Sequence, residues 1–539
     1  MEKSKKIHTP KHIKKKTTSV AKSTLSMAFA TFVSRVTGLL RTWIMAFALG
    51  NTVMSSAYQV ANNMPNVIFD LVAGGLLGAA FIPIFILEKQ NNGEYGANRF
   101  SSNMLNLTVV VLGLLSILST IFAPFVISTQ TFTVDNSAQV SILAVLFFRI
   151  FAFQILFYGI SGIINGILNS KRIYFLPALA PAINNIFVIL SFIAYYFVSF
   201  QNLDVAIYIL GIGTTLGVLI QCLVQIPSLI KSGFKWYPVL TLKDKALKEA
   251  IKIAIPTFIY IVGNLIAFTF RNAFSLVSAE NGPSTILYAW TWFQLPYGIV
   301  AVSLSRTMFT ELSESSAKND KAKLKSQIND GIRSTLTLII PLSVLIFSFS
   351  QPILSLFRAG SFNSDDVNNV AIILRAWIIA LPFYSVLMYM YNVFAALRKF
   401  SRFAIVCCSG VVFQCLMYWI FCQENIFQLL GIPLSDLIYY TGCCIIVILM
   451  IKTEVGYIGV SKIVISSIKI LIASLIAVVP GILLNDLIFK GQISMLYGML
   501  SLILCGGISI ILIIVLCWIF KIKEVRFFVS ILLNKIKGK

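Results

Sequence analysis

Apolar runs of about twenty residues or more recur along the chain, separated by short polar stretches. A run of that length crosses the roughly 30 Å hydrocarbon layer of a bilayer as a helix. The runs fall near 25–49, 59–87, 103–128, 140–167, 175–199, 205–230, 249–277, 284–309, 329–353, 367–397, 401–422, 431–451, 463–485 and 495–520. The pattern predicts an all-α polytopic membrane protein with about fourteen transmembrane helices. Several runs carry breakers: Pro65, Gly74 and Gly75 in the second, Pro177 and Pro181 in the fifth, and Pro256 in the seventh. Pro296 and Gly298 interrupt the eighth and Pro382 the tenth. Proline removes a helical hydrogen bond and glycine weakens a helix, so these spans are expected to bend.

The polar stretches alternate in charge. Placing the N-terminus inside puts Lys89 and Arg99, Lys171 and Arg172, Lys231 and Lys235, Lys318 to Lys325, Arg398 and Lys399, and Lys452 and Lys462 on the cytoplasmic side. The external stretches then hold only Arg358 and Lys490. This is the positive-inside asymmetry, and it predicts a plasma-membrane protein with both termini in the cytoplasm. The expected organisation is a basic tail at 1–24, six helices over 25–230, a linker at 231–248 and six helices over 249–452. Two further helices and a basic tail occupy 453–539. The first tail, with its lysines, is expected to be disordered and to rest on anionic lipid headgroups. The charged stretch 310–328 is expected to be helical at the membrane surface.

Composition sharpens the class. The chain is 58% hydrophobic and only 12% charged, too apolar for a soluble protein of 539 residues. The net charge of +23 would suggest nucleic acid in a soluble chain, but the positive-inside distribution accounts for it here. The nine cysteines lie almost wholly in apolar runs without a CxxC pair, so they read as small packing residues. His8 and His12 are the only histidines, which leaves none in the membrane body for acid–base or metal work. No cofactor is expected, and enzyme activity is not expected.

The candidate chemistry is the charge kept inside apolar runs. Lys252, Arg333, Arg402, Asp436 and Lys469 lie in the outer two turns of their spans and are assigned to the interface. Arg35, Arg41, Asp70, Arg149, Arg271, Arg306 and Arg375 lie deeper. A charge at mid-membrane costs roughly 2.5–3.5 kcal/mol on insertion scales, so such residues mark function or a paired interior. Arg35 and Arg41 sit six residues apart, about 240° around the helix, and can border one wide cavity at different depths. The excess of arginine over acid favours an anionic ligand, because a guanidinium meets a phosphate with two parallel hydrogen bonds. Asp70 could instead pair with one of the first-helix arginines.

Five stretches carry a family resemblance: SRVTGLLR at 34–41, PNVIFDLVAGGLLGAAFIP at 65–83, ILNSKRIYFLPALAPAINN at 167–185, YAWTWFQLPYGIVAVSLS at 288–305 and LFRAGSFNSDD at 356–366. Through them the chain resembles the MurJ (MviN) family of lipid II flippases, within the multidrug/oligosaccharidyl-lipid/polysaccharide exporter superfamily. The resemblance implies fourteen helices in two lobes around a central cationic cavity. It also implies a hydrophobic groove for the lipid tail at the last two helices. Arg35 and Arg41 match the arginines that the family uses on the headgroup diphosphate, and Asn66 matches the Pro-Asn of its second helix. Phe69 stands where many members carry arginine and Gly74 where they carry glutamate. Ala289, Trp290 and Thr291 replace the usual Ala-Asp-Arg. The second-helix pattern around Asp70 looks like a Gram-positive, actinobacterial-type branch, and Arg271 is a candidate for the lost charge.

The substrate-binding set expected from these readings is Arg35, Arg41, Asn66, Asp70 and Arg271. The ligand implied is lipid II, an undecaprenyl-diphosphate-linked glycopeptide, moved between leaflets by alternating access. Cell-wall synthesis or division proteins are candidate partners, and no nucleic acid is expected. Another undecaprenyl-linked glycan, of the teichoic acid, capsule or O-antigen type, is the second reading. A drug/cation antiporter would want embedded acids, against which the single Asp70 argues. A membrane glycosyltransferase would want acids arranged at an external face, and Asp135, Asp204, Glu280, Asp365, Asp366, Glu424 and Asp486 form no paired motif resembling a catalytic one. The residues do not select among membrane potential, sodium and proton gradients as the driving force.

Overall fold

The computed structural model of the chain describes residues 11–71, 81–135, 138–241, 245–489, 491–522 and 525. Gly74 and Gly75, the first ten residues of the basic tail and the basic residues from Lys523 onward lie outside the described residues, as do the side chains of Pro256 and Arg306. Among the described residues the regular structure is helical. In chain order the helices are α1 (Lys11–Leu49), α2 (Val53–Phe69), α3 (Phe81–Ile121), α4 (Ala123–Thr131), α5 (Gln139–Phe151), α6 (Gln154–Ser170) and α7 (Phe175–Ser199). They continue as α8 (Leu203–Leu223), α9 (Ile226–Lys231), α10 (Lys245–Ser278), α11 (Gly282–Pro296), α12 (Val302–Ala317), α13 (Lys321–Ser348) and α14 (Ser350–Ser355). The last are α15 (Ser364–Ile378), α16 (Leu381–Ala396), α17 (Phe400–Phe421), α18 (Gly431–Glu454), α19 (Val460–Phe489), α20 (Met495–Ser501) and α21 (Gly507–Ile519).

Among the described residues, ten helical stretches are long and apolar enough to span a membrane, and two bent pairs bring the number to twelve. The pairs are α5 with α6, bent by 45°, and α15 with α16, bent by 53° next to Pro382. The expected second span runs into residues outside the description after Leu71. The expected eighth span is divided at Pro296, where the π-helical turn Tyr297–Ala301 separates α11 from α12. A proline lacks the donor that an α-helical turn needs, and a wider turn absorbs the mismatch.

Two expectations change, and the helix expected over 310–328 is present with one break. The tail expected to be disordered is helical from Lys11, since a helix nucleated by the first span extends at one hydrogen bond per residue. The loop expected between spans two and three is helical too, and α3 passes through it with a kink at Gly93, whose φ of 67° is open to glycine. The stretch 310–328 forms the ends of α12 and α13, broken at Lys318–Asp320, with Asp320 capping the amide of Lys323 at 3.0 Å.

The chain forms two compact units. The first comprises the described residues up to Met45 with Ala61–Ala123 and Leu146–Phe258. Here α7 packs on α8 and α3 on α6. Its apolar core gathers Phe81, Phe85 and Phe100 with Ile163 and Ile167. The linker after α9 is strapped to this unit rather than free. Ser102 accepts from the Tyr237 amide, Asn103 bonds both the amide and the carbonyl of Thr241, and Asn106 donates to the carbonyls of Tyr237 and Val239. Three polar side chains on one face of α3 thus do the work of a neighbouring strand.

The second unit comprises Ala46–Val60, Pro124–Val145 and Ile259 onward. In it α13 packs on α19 and α16, α17 on α18, and α19 on α21. Two glycines with positive φ, Gly456 at 100° and Gly459 at 78°, turn the chain from α18 into α19. Asn329 of α13 donates to the carbonyls of Ile458 and Gly459 and fixes where α19 begins.

Candidate functional site

The first-helix arginines sit on a segment of α1 braced by α7. Asn185, from the PALAPAINN stretch, donates to the Ser34 carbonyl at 3.4 Å and to the Thr37 hydroxyl at 3.2 Å. Two of the stretches that carry the resemblance therefore meet, and the contact fixes the rotation of the turn bearing Arg35 and Arg41. Arg35 is exposed and Arg41 half-buried. Among the described residues, neither forms an ion pair and neither is paired with Asp70. Guanidinium groups held without a carboxylate keep their hydrogen bonds for an anionic ligand.

Tyr158 of α6 joins this group, and the sequence reading missed it. Its hydroxyl lies close to Asn66 and in the field of Arg41. Its ring packs on Phe69 at 6.3 Å, so the aromatic that replaces the family's arginine is an apolar wall here. Ile68 and Phe69 also pack against Leu112 and Ile155. A tyrosine in the run FQILFYGISG gives no signal beyond an ordinary core aromatic. The structure thus brings Arg41 and Asn66 together around Tyr158, and leaves Asp70, half-buried at the π-helical end of α2, without a cationic partner among the described residues.

Arg271 belongs to the second unit and is committed elsewhere. Its guanidinium donates to Asp436 Oδ2 at 2.9 Å, and its carbon lies 4.8 Å from the Trp290 ring and 5.3 Å from the Trp377 ring. The same carboxylate accepts from Trp377 Nε1 at 2.9 Å, from Gln414 Nε2 at 2.6 Å and from the Tyr418 hydroxyl. Asp436 is 0% exposed and Arg271 9% exposed. Asp436 is therefore no interfacial charge: Gly431, Ile432 and Pro433 ahead of it are buried as well. With four donors on one carboxylate and an indole stacked on the cation, this is a closed structural pair. Trp290, standing where the family has aspartate, supplies part of that closure.

Of the other interior arginines, Arg375 is exposed and donates to the Ser350 hydroxyl at 2.5 Å, while Arg149 is exposed. The cysteines are buried among apolar side chains, apart from a half-buried Cys408.

The second unit also contains an apolar groove of about 890 Å³, near the top of the roughly 300–1,000 Å³ range of ligand sites. Its floor is α19, which contributes Val460, Ile463, Val464, Ser467, Ile468, Leu471 and Leu475. That spacing is one stripe of a helix and runs for about 22 Å at about 1.5 Å per residue. Ile332, Leu336 and Ile340 of α13 form one wall, and Ile445, Ile448 and Leu449 of α18 another. The bend between α15 and α16 opens the space, with Ile378, Ile379, Pro382 and Phe383 on its rim. A groove this long and this apolar has room for an extended hydrocarbon chain. Filling it by Ile448→Trp is expected to weaken binding of undecaprenol to the purified protein about tenfold without lowering its melting temperature, because the indole enters existing space. Lipid titration followed by tryptophan fluorescence tests this.

The lipid II flippase MurJ family model matches residues 45–528, beginning just past Arg41. A probable lipid II flippase MurJ of Buchnera aphidicola subsp. Schizaphis graminum is 30% identical over 350 residues, covering 65% of this chain and 67% of the relative. The lipid II flippase MurJ of Burkholderia cenocepacia is 28% identical over 363 residues, 66% of this chain and 69% of that one. Among solved structures, a lipid II flippase MurJ in an inward closed conformation is similar with a TM-score of 0.72 at 24% identity, covering 92% of this chain and 98% of the other. An inward-facing MATE family transporter of the MOP superfamily follows with a TM-score of 0.67 at 15% identity, covering 79% and 95%. These likenesses establish a shared fold. The family model, spanning most of the chain, goes further: the protein belongs to the lipid II flippase MurJ family.

Proposed function

We propose that the chain carries lipid II from the inner to the outer leaflet of the plasma membrane by alternating access, for cell-wall synthesis. The observation that carries this reading is the apolar groove along α19 in a chain of the lipid II flippase family. A long polyprenyl tail needs an apolar channel alongside the path of its headgroup. The guanidinium groups of Arg35 and Arg41, without an ion-pair partner among the described residues, supply donors that a diphosphate can take beside Asn66 and Tyr158. No bond is made or broken, so the residues need only bind and release.

Both termini are assigned to the cytoplasm by the basic stretches, and the N-terminal lysines are assigned to anionic headgroups there. An inside-negative potential favours outward movement of an anion by roughly 2.3 kcal/mol per charge per 100 mV. That term acts on the substrate without a coupling ion. Cell-wall synthesis and division proteins remain the partner class for such an exporter.

Complementation of a conditional lipid II flippase mutant tests the proposal. Growth with normal cell shape on expression of this chain is the expected result. A second reading, export of another undecaprenyl-linked glycan, is favoured by Phe69 and Trp290, which remove charge where the family carries it. Failure of a well-expressed chain to rescue would select that reading.

A further inference from the structure

The groove of the second unit has one polar end. Midway along it, Ser343 and Ser467 bond to carbonyls of their own helices at 2.9 Å, Ser343 to Ile339 and Ser467 to Ile463, and offer a ligand little. Lys452 and Tyr457 lie at the end where α18 turns into α19, beside Val460. Lys452 follows Ile445 and Ile448 on the same helical stripe, so its stem continues the apolar wall and its ammonium group closes it. It has no ion-pair partner among the described residues, because the nearby Glu454 is taken by Lys399 and Arg402. The exposed Tyr457 hydroxyl lies in the field of both Lys452 and Lys462. Lys325 of α13 reaches over the same turn: a Cβ on Gly456 would lie 2.7 Å from its Nζ. Lys452 thus lines the polar end of an otherwise apolar groove, with Lys325 over the Gly456 turn and Lys462 in the field of Tyr457 beside it.

We propose that Lys325, Lys452 and Lys462 form a docking mouth for the diphosphate of a polyprenyl-linked substrate, which holds the headgroup at the inner leaflet while the tail lies along α19. The proposal rests on the lipid II reading and adds a headgroup position separate from Arg35 and Arg41. The chemistry is that of an amphiphile with a long apolar tail and several negative charges on one small head. Lysines bind such a head as point charges on flexible stems, which suits a group that must be released again. Lysines at an inner interface also follow the positive-inside rule, so the test has to separate general charge from this geometry.

The test uses the full-length protein in phosphatidylcholine nanodiscs, with undecaprenyl diphosphate, undecaprenol and phosphatidylglycerol as probes. Wild type is expected to bind undecaprenyl diphosphate more tightly than undecaprenol by about tenfold, the order of one or two charge-assisted contacts. Lys325→Gln, Lys452→Gln and Lys462→Gln combined are expected to erase that preference while undecaprenol still binds. Retained undecaprenol binding shows that the groove is folded, and Lys452→Gln alone serves if the triple variant does not accumulate. An unchanged preference in a variant that still binds undecaprenol overturns the mouth. Phosphatidylglycerol competing as well as undecaprenyl diphosphate overturns it too, by reducing the lysines to a general anionic-lipid contact. A wild type that moves no lipid II but keeps the lysine-dependent preference overturns the transport reading alone.

Discussion

Arg41→Ala is expected to abolish export while leaving the protein folded and inserted at wild-type level. Its guanidinium is half-buried, has no carboxylate partner among the described residues, and acts electrostatically on Tyr158, beside Asn66. A charge-assisted hydrogen bond contributes about 1.5–3 kcal/mol, so losing a two-pronged contact to a diphosphate costs at least about tenfold in binding and more if both prongs engage. Removing the cation orphans no buried acid among the described residues, which is why stability is expected to hold. Arg35→Ala is expected to act in the same direction. Arg41→Lys keeps the charge but not the fork, and is expected to fall between. Complementation at matched membrane levels, read by immunoblot, checks all three. Wild-type growth with Arg35→Ala and Arg41→Ala together would remove these residues from the substrate path.

Arg271→Ala is expected to fail in the opposite way, by loss of the protein itself. It would leave Asp436 buried and charged, with the Trp377, Gln414 and Tyr418 donors around it. Breaking one partner of a buried pair costs about 3–5 kcal/mol, a large share of the stability of a typical fold. Low membrane levels and a melting temperature lower by several degrees are the expected readouts in detergent. Asp436→Asn is expected to be milder, because an amide still accepts from one side and the cation keeps its two indoles. Arg271→Ala with full stability but no transport would return this residue to the substrate-binding set.

The contrast between these two arginines marks what the sequence can disclose. Both are single cations in apolar runs, and the cost of burying a charge flags both. What separates them is the neighbour, and that neighbour is distant: Asp436 lies 165 positions beyond Arg271. Counting from the end of an apolar run placed Asp436 at an interface, because the covering turn at 422–430 is itself polar in part and gives no sign that it folds over the helix start. Trp290 reads as a departure from a family pattern, and its partner on Arg271 becomes visible only when α10 and α11 are side by side.

The helices were largely legible, since a run of apolar residues in lipid can satisfy its backbone only as a helix. Pro382 and Pro296 marked a bend and a widened turn where the chain has them. The 45° bend between α5 and α6 carries no proline at its break and was not legible. A groove at the last two helices was expected from the resemblance alone, since α19 is apolar on every side and a stripe facing a ligand looks like one facing lipid; its walls come from α13 and α18 rather than from α21. Tyr158 was missed for the same reason that makes it useful: a hydroxyl on an aromatic costs little in an apolar run.

The most direct measurement is leaflet protection in proteoliposomes. Fluorescent lipid II is placed on both leaflets with the purified protein, and an external, impermeant reagent reads the accessible fraction over time. The account predicts that wild type exposes the inner pool, that an inside-negative potential speeds the movement, and that Arg41→Ala stays at the protein-free rate. Wild type at the protein-free rate, with the protein folded by its melting curve, would contradict the claim that this chain moves lipid II.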